Sequence, residues 1–250
     1  MVARVLREDL AGVRPSTPRK NMINKEQSRQ YFVSFLAALG VSVVFALYLF
    51  LRRGYFNLYI FNKVLASTSL VLLGIVLLIG PISRFYNRFD KWLILRREIG
   101  IMAFLLALGH GLISYSGKAS SALIWGIISL AILAVLFLTS YKFVESKLNR
   151  GIWIQLQSWG VRLGTFFAFL HLIALKYPGW IKWLAGQGAK GLVRPEMPPA
   201  SLLGALFLGF VAITRLAEIF GVKIARKIFE AGIIILLLAI VILFFWSRVF

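Results

Sequence analysis

Seven apolar runs, separated by short connections many of which carry Lys or Arg, set the first constraint on this chain. A spanning helix needs about 20 predominantly apolar residues. The runs near 31–51, 58–82, 97–116, 120–141, 156–177, 200–220 and 227–247 meet that requirement. Of the 250 residues, 60% are apolar and 15% charged, and the mean hydropathy is +0.83. Ordinary globular chains are roughly 45–50% apolar, and one water-soluble core does not hide the excess. The expected fold class is all-α: a polytopic membrane helical bundle of about seven transmembrane helices.

The basic residues report orientation. The net charge is +20, from 29 Lys+Arg against 9 Asp+Glu. These cations punctuate the apolar runs, which is the pattern of a topology signal and of contact with anionic lipid headgroups, so nucleic acid is not an expected partner. The tail and the connections 83–97, 142–155 and 221–227 hold 18 Lys+Arg, and the opposite side holds 8. Positive residues favour the cytoplasmic side, so the N-terminus is expected inside and the C-terminus outside. Residues 1–30 are read as a basic cytoplasmic tail, without the apolar stretch of a secretory leader, and 31–250 as the bundle. No segment is left over for a separate nucleotide- or flavin-binding domain. The connection 178–199 is expected to lie outside, with Trp180 and Trp183 at the membrane interface.

There is no cysteine, which excludes disulfides, thioether-linked haem and iron–sulfur clusters. There are two histidines. His110 lies five residues before Tyr115, and His171 five before Lys176. On two parallel helices each imidazole is then roughly 7–8 Å below the outer helix end. Ionisable groups within a bilayer are costly and mark function by default. Offsets of three, seven and ten or eleven share a helix face. Below His110 that face carries Ala107, Ala103 and Gly100; below His171 it carries Ala168, Gly164 and Gly160. Small stripes allow close helix packing; they also clear space for a flat macrocycle hung between two imidazoles. From the residues alone, haem ligation and a histidine hydrogen-bonded to a neighbouring helix stand side by side.

Local sequence adds a resemblance. Arg96-Arg97-Glu98-Ile99-Gly100-Ile101-Met102-Ala103-Phe104, followed by His110 and Tyr115, resembles the third helix of the ferric reductase-like transmembrane domain. Gly80-Pro81-Ile82-Ser83-Arg84 resembles that family's helix-ending proline and basic turn, and Leu138-Thr139-Ser140 its close of helix four. Trp153-Ile154-Gln155-Leu156-Gln157 resembles its Trp-x-x-Leu-His entry to helix five, with His171 at the second histidine. The likeness covers about residues 60–177. It is similar to the haem subunit of the periplasmic methionine sulfoxide reductase system, among others. The resemblance implies b-type haem held by His110 and His171, flanked by Gly100, Ala103, Ala107, Gly164 and Ala168. Gln157 departs from the pattern, since an amide is a poor haem-iron ligand, and the implied count is one haem.

The resemblance implies a membrane electron-transfer protein, an oxidoreductase or a subunit of one, in a prokaryotic cytoplasmic membrane. Electrons would come from quinol or a partner flavoprotein and leave to an acceptor on the outer side, such as a partner oxidoreductase. Tyr115, Lys118, Lys176 and Tyr177 stand where haem propionates would reach, and equally where interface anchors belong. Arg215 and Glu218 are expected to pair, and Lys63 to reach outward to water. The second reading is a non-catalytic scaffold or transport accessory on the same fold without haem.

Overall fold

The computed structural model describes residues 19–115, 121–187 and 191–246, and no strand occurs among them. Seven long helices follow in order: α1 (Arg19–Arg53), α2 (Leu58–Phe85), α3 (Arg96–Ser114), α4 (Ser121–Thr139), α5 (Arg150–Leu184), α6 (Ala200–Ala217) and α7 (Val222–Trp246). A 3₁₀ segment, Asn87–Leu95, joins α2 to α3, and a single helical turn, Lys142–Glu145, lies between α4 and α5. Each expected apolar run is a helix. Six of them are long and apolar enough to cross a membrane, and α3 is not among those six. The reason is local: α3 opens on Arg96-Arg97-Glu98 and carries His110 in its apolar part.

Several boundaries differ from expectation. α1 starts at Arg19, so the boundary set at residue 30 falls inside a helix. The first 18 residues, Lys118, Lys190 and Arg248 lie outside the described residues. Pro81 does not end α2, which runs on to Phe85. Proline removes one N–H, yet the following turn keeps its ladder, with Tyr86 N–H bonded to the Ile82 carbonyl at 2.9 Å. α5 likewise passes through Pro178 to Leu184. Trp180 and Trp183 are therefore helical and buried, where an interfacial stretch was expected. Their indole N–H groups donate to Ser201 Oγ (2.9 Å) and the Pro195 carbonyl (3.0 Å), tying α5 to the first turn of α6 and to the segment before it. α1 holds the same segment from its other side, through Tyr48 to the Pro198 carbonyl (2.5 Å) and Arg52 Nε to the Met197 carbonyl (2.9 Å).

α2 is the centre of the bundle. Over half of its most apolar stretch is buried (56%), against 6% for α7 and 17% for α1. It packs on α1, α3, α5, α6 and α7. The outer faces of α1 and α7 expose Phe35, Leu47, Ile235 and Ile242 to what the composition identifies as lipid. Lipid is as apolar as leucine, so helices associate here by close fit and interhelical hydrogen bonds rather than by expelling water. Ser69 Oγ donates to the Ala103 carbonyl (2.7 Å), joining α2 to α3. Ser129 Oγ donates to the Gly164 carbonyl (2.8 Å), joining α4 to α5.

The α4–α5 pair fits most closely at glycine. A Cβ on Gly160 would stand 2.5 Å from Leu136 Cδ2, and one on Gly164 3.1 Å from Leu133 Cδ2. Gly160→Ala is therefore expected to cost about 1–3 kcal/mol of stability, the usual penalty for overpacking. Thermal unfolding of the detergent-solubilised protein measures it. An unchanged midpoint would show that the two helices spread freely.

Candidate functional site

His110 lies one turn before the end of α3, facing the first turns of α2. Its Nδ1 is 2.9 Å from Asn62 Oδ1. The Asn62 amide nitrogen donates to Ser114 Oγ at 2.8 Å, and Ser114 Oγ lies 3.3 Å from His110 Nδ1. With the Asn62 amide so oriented, its carbonyl oxygen faces the ring, and a carbonyl oxygen only accepts. Nδ1 therefore carries the proton and Nε2 the lone pair.

His171 repeats this chemistry on α5. Its Nδ1 lies 2.6 Å from the backbone carbonyl of Ala122 in the first turn of α4. A peptide carbonyl has no proton to give, so here too Nδ1–H donates and Nε2 is left for another partner. Gly126, one turn further along α4, makes the approach feasible. A Cβ there would come within 2.9 Å of His171 Nδ1 and 3.0 Å of Cε1. The imidazole lies in the space a side chain would take. Trp125 stacks on Phe167 next to it, with ring centroids 5.8 Å apart and planes at 13°.

α3 and α5 do not pack on each other along their lengths. α2 stands against α3 and α4 against α5, and each supplies the oxygen that orients one histidine. The two imidazoles lie within electrostatic reach of one another, and Lys176 within reach of His110. Tyr115 and Tyr177 are exposed at this end of the bundle, and Lys63 rests 4.2 Å over the Tyr59 ring.

The small residues below the histidines divide. Ala103 is fully enclosed and its carbonyl takes the Ser69 bond. Gly160 and Gly164 are covered by Leu136 and Leu133 of α4. Those three serve helix packing and do not line an open face. Gly100 has nothing within 4 Å of where its Cβ would stand, and Ala107 and Ala168 are half-buried.

Gln157, at the place where the resemblance expects an imidazole, is committed to α4. Its amide nitrogen reaches Thr139 Oγ1 (3.0 Å), the Leu136 carbonyl (3.2 Å) and Ser140 Oγ (3.5 Å). Trp153 Nε1 donates to the Thr139 carbonyl at 2.8 Å beside it. Together they satisfy carbonyls that the end of α4 leaves open. At the same end of the bundle Arg215 pairs with Glu218 at 2.6 Å, as the sequence spacing led one to expect.

Sequence reasoning missed Asn62, Ser114, Ala122 and Gly126. Asn62 carried a usable signal, being an amide inside an apolar run. Ala122 contributes only its backbone and Gly126 only an absence, so neither had one.

Among the described residues no three His, Asp or Glu side chains converge on a metal site. Two imidazoles with committed Nδ1 and available Nε2 suit instead an iron that brings its own equatorial ligands, as a porphyrin does. The donor chemistry fits haem. Residues 64–163 match the family model described as ferric reductase like transmembrane component. The match takes in His110 and Gln157, and ends eight residues before His171. Residues 64–163 of this multi-pass membrane protein are thus a ferric reductase-like transmembrane domain.

Proposed function

We propose that this chain is a haem b electron-transfer protein of a cell membrane, in which His110 and His171 would hold the haem iron through Nε2. The observation that carries the reading is the matched state of the two rings. Each histidine gives its Nδ1 proton to an oxygen on a neighbouring helix, which fixes the tautomer and turns Nε2 toward a ligand's role. A bound haem supplies a one-electron ferric–ferrous couple, and ligation by two imidazoles favours electron transfer over oxygen binding. Asn62 and Ala122 orient the two rings, Gly126 leaves room for the His171 ring, and Gly100, Ala107 and Ala168 would lie beside the bound group. Gln157, bonded to the end of α4, supports a single haem. The donor is a membrane quinol or a flavoprotein partner. The acceptor, a partner oxidoreductase, ferric iron or oxygen, is reached from the histidine end.

The purified protein is expected to show a Soret band with sharp reduced α and β bands. His110→Ala and His171→Ala are each expected to abolish that low-spin spectrum, while Gln157→Ala keeps it and lowers only thermal stability. A colourless folded protein would favour the scaffold reading, and a bis-imidazole spectrum surviving either histidine change would remove the assignment. Asn62→Leu and Gly126→Ala are expected to weaken haem affinity by roughly 10–100-fold, the usual effect of losing support behind a ligand. Haemin titration of the apoprotein measures this; unchanged affinity in both would mean that the rings need no such support.

In this reading α3 is a seventh span, so the two termini lie on opposite sides of the membrane, and the basic-residue bias is what favours the N-terminus inside. A C-terminal alkaline phosphatase fusion is expected to be active and a C-terminal fluorescent fusion that matures only in the cytoplasm to be dark. The opposite pair of results would mean an even number of spans.

A further inference from the structure

Toward the end of the bundle away from the histidines, four helices each carry an arginine, and two of these share one carboxylate. Arg84 comes from α2, Arg96 from α3, Arg162 from α5 and Arg215 from α6, all within electrostatic reach of Arg96. The carboxylate that faces them is Glu218, and it is already shared: Arg84 Nη1 holds Oε1 at 3.0 Å and Arg215 Nη1 holds Oε2 at 2.6 Å. Glu98, on α3, accepts from Arg97 Nε and Nη2 through Oε1 alone, at 3.0 and 2.8 Å, and its Oε2 is buried without a hydrogen-bond partner among the described residues. Glu218 thus pairs with two of the four arginines, and among the described residues Arg96 and Arg162 make no ion pair. The Nε atoms of Arg162 and Arg215 are both buried, and neither has a hydrogen-bond partner among the described residues. Buried guanidinium N–H groups with nothing to donate to are expensive. An acceptor with several oxygens and negative charge is what this arrangement lacks.

We propose that the cluster of Arg96, Arg162 and Arg215 binds the phosphate of an anionic phospholipid. Guanidinium forks match a phosphodiester's oxygens in pairs. The surroundings favour a lipid over a soluble phosphate. Arg162 emerges between Trp159 and Leu163, both exposed on the bundle's outer face, and its Cζ lies 5.0 Å over the Trp159 ring. Ile213, Leu216 and Ile219 are exposed in the same way around Arg215. Acyl chains lie against such faces, and their headgroup comes level with arginines that reach outward along the helices. The bound lipid links α3, α5 and α6 at a level where their own side chains leave net positive charge. The site stands independently of whether haem is bound.

The test uses the full-length protein in mild detergent. Native mass spectrometry is expected to show retention of dioleoylphosphatidylglycerol in preference to dioleoylphosphatidylcholine, and the former to raise the unfolding midpoint. Arg162→Gln is expected to weaken retention by roughly tenfold, the loss that accompanies one charge-assisted hydrogen bond. Arg88→Gln, at the same end but outside the cluster, is expected to change nothing. Equal retention of both lipids would overturn the proposal, as would loss from Arg88→Gln matching that from Arg162→Gln. Stabilisation by inorganic phosphate or glycerol phosphate as large as that by the lipid would assign the site to a soluble anion instead. If Arg162→Gln does not fold, the wild-type protein still decides: a lipid-induced rise in midpoint that is insensitive to headgroup charge refutes the site.

Discussion

Inside a hydrocarbon layer a polar group finds no water and is costly unless another group meets it. That requirement accounts for the hydrogen bonds between the helices. Serines spend their hydroxyls on carbonyls of the next helix, as Ser69 does at Ala103 and Ser129 at Gly164. The open carbonyls at the end of α4 are taken by Trp153 and Gln157. The two histidines obey the same rule with one nitrogen each, and the other nitrogen is the one to which the proposed function gives a role.

α5 draws these contacts together. Near its start Trp153 and Gln157 grip the last turn of α4, glycines 160 and 164 let the two helices lie close, and His171 grips the first turn of α4. α4 is thus pinned at both ends by one partner. α2 plays the matching part for α3 through Asn62 and Ser69. The pair that bears the histidines is held by two other helices and not by extended packing of α3 on α5.

Much of this was legible in the sequence, and the illegible part has a common cause. Apolar runs separated by short connections gave seven helices, because length and hydropathy alone decide whether a segment is a candidate to cross a bilayer. Helix ends were less readable: Pro81 and Pro178 look like stops, but each lies in a helix whose neighbours keep the ladder going. His110 and His171 stood out because charge-capable groups are scarce in apolar runs. Their supports did not, since one is a backbone carbonyl and another a missing side chain. The stripes of small residues misled in part. Spacing puts Gly164 on the same face as His171, yet which neighbour fills that face is a property of the fold, and here it is Leu133. Arg162 carried an unused signal, a cation six residues into the apolar run 156–177.

The two histidines are oriented by oxygens of different kinds. His110 leans on a side-chain amide that can rotate with Asn62, at 2.9 Å, whereas His171 leans on a peptide oxygen locked into the first turn of α4, at 2.6 Å. A closer hydrogen bond from Nδ1 pushes more electron density through the ring, so His171 is the stronger electron-pair donor of the two and the stiffer one. The ring on α5 is therefore anchored by backbone and the ring on α3 by a side chain, and the softer of the two is the one on α3.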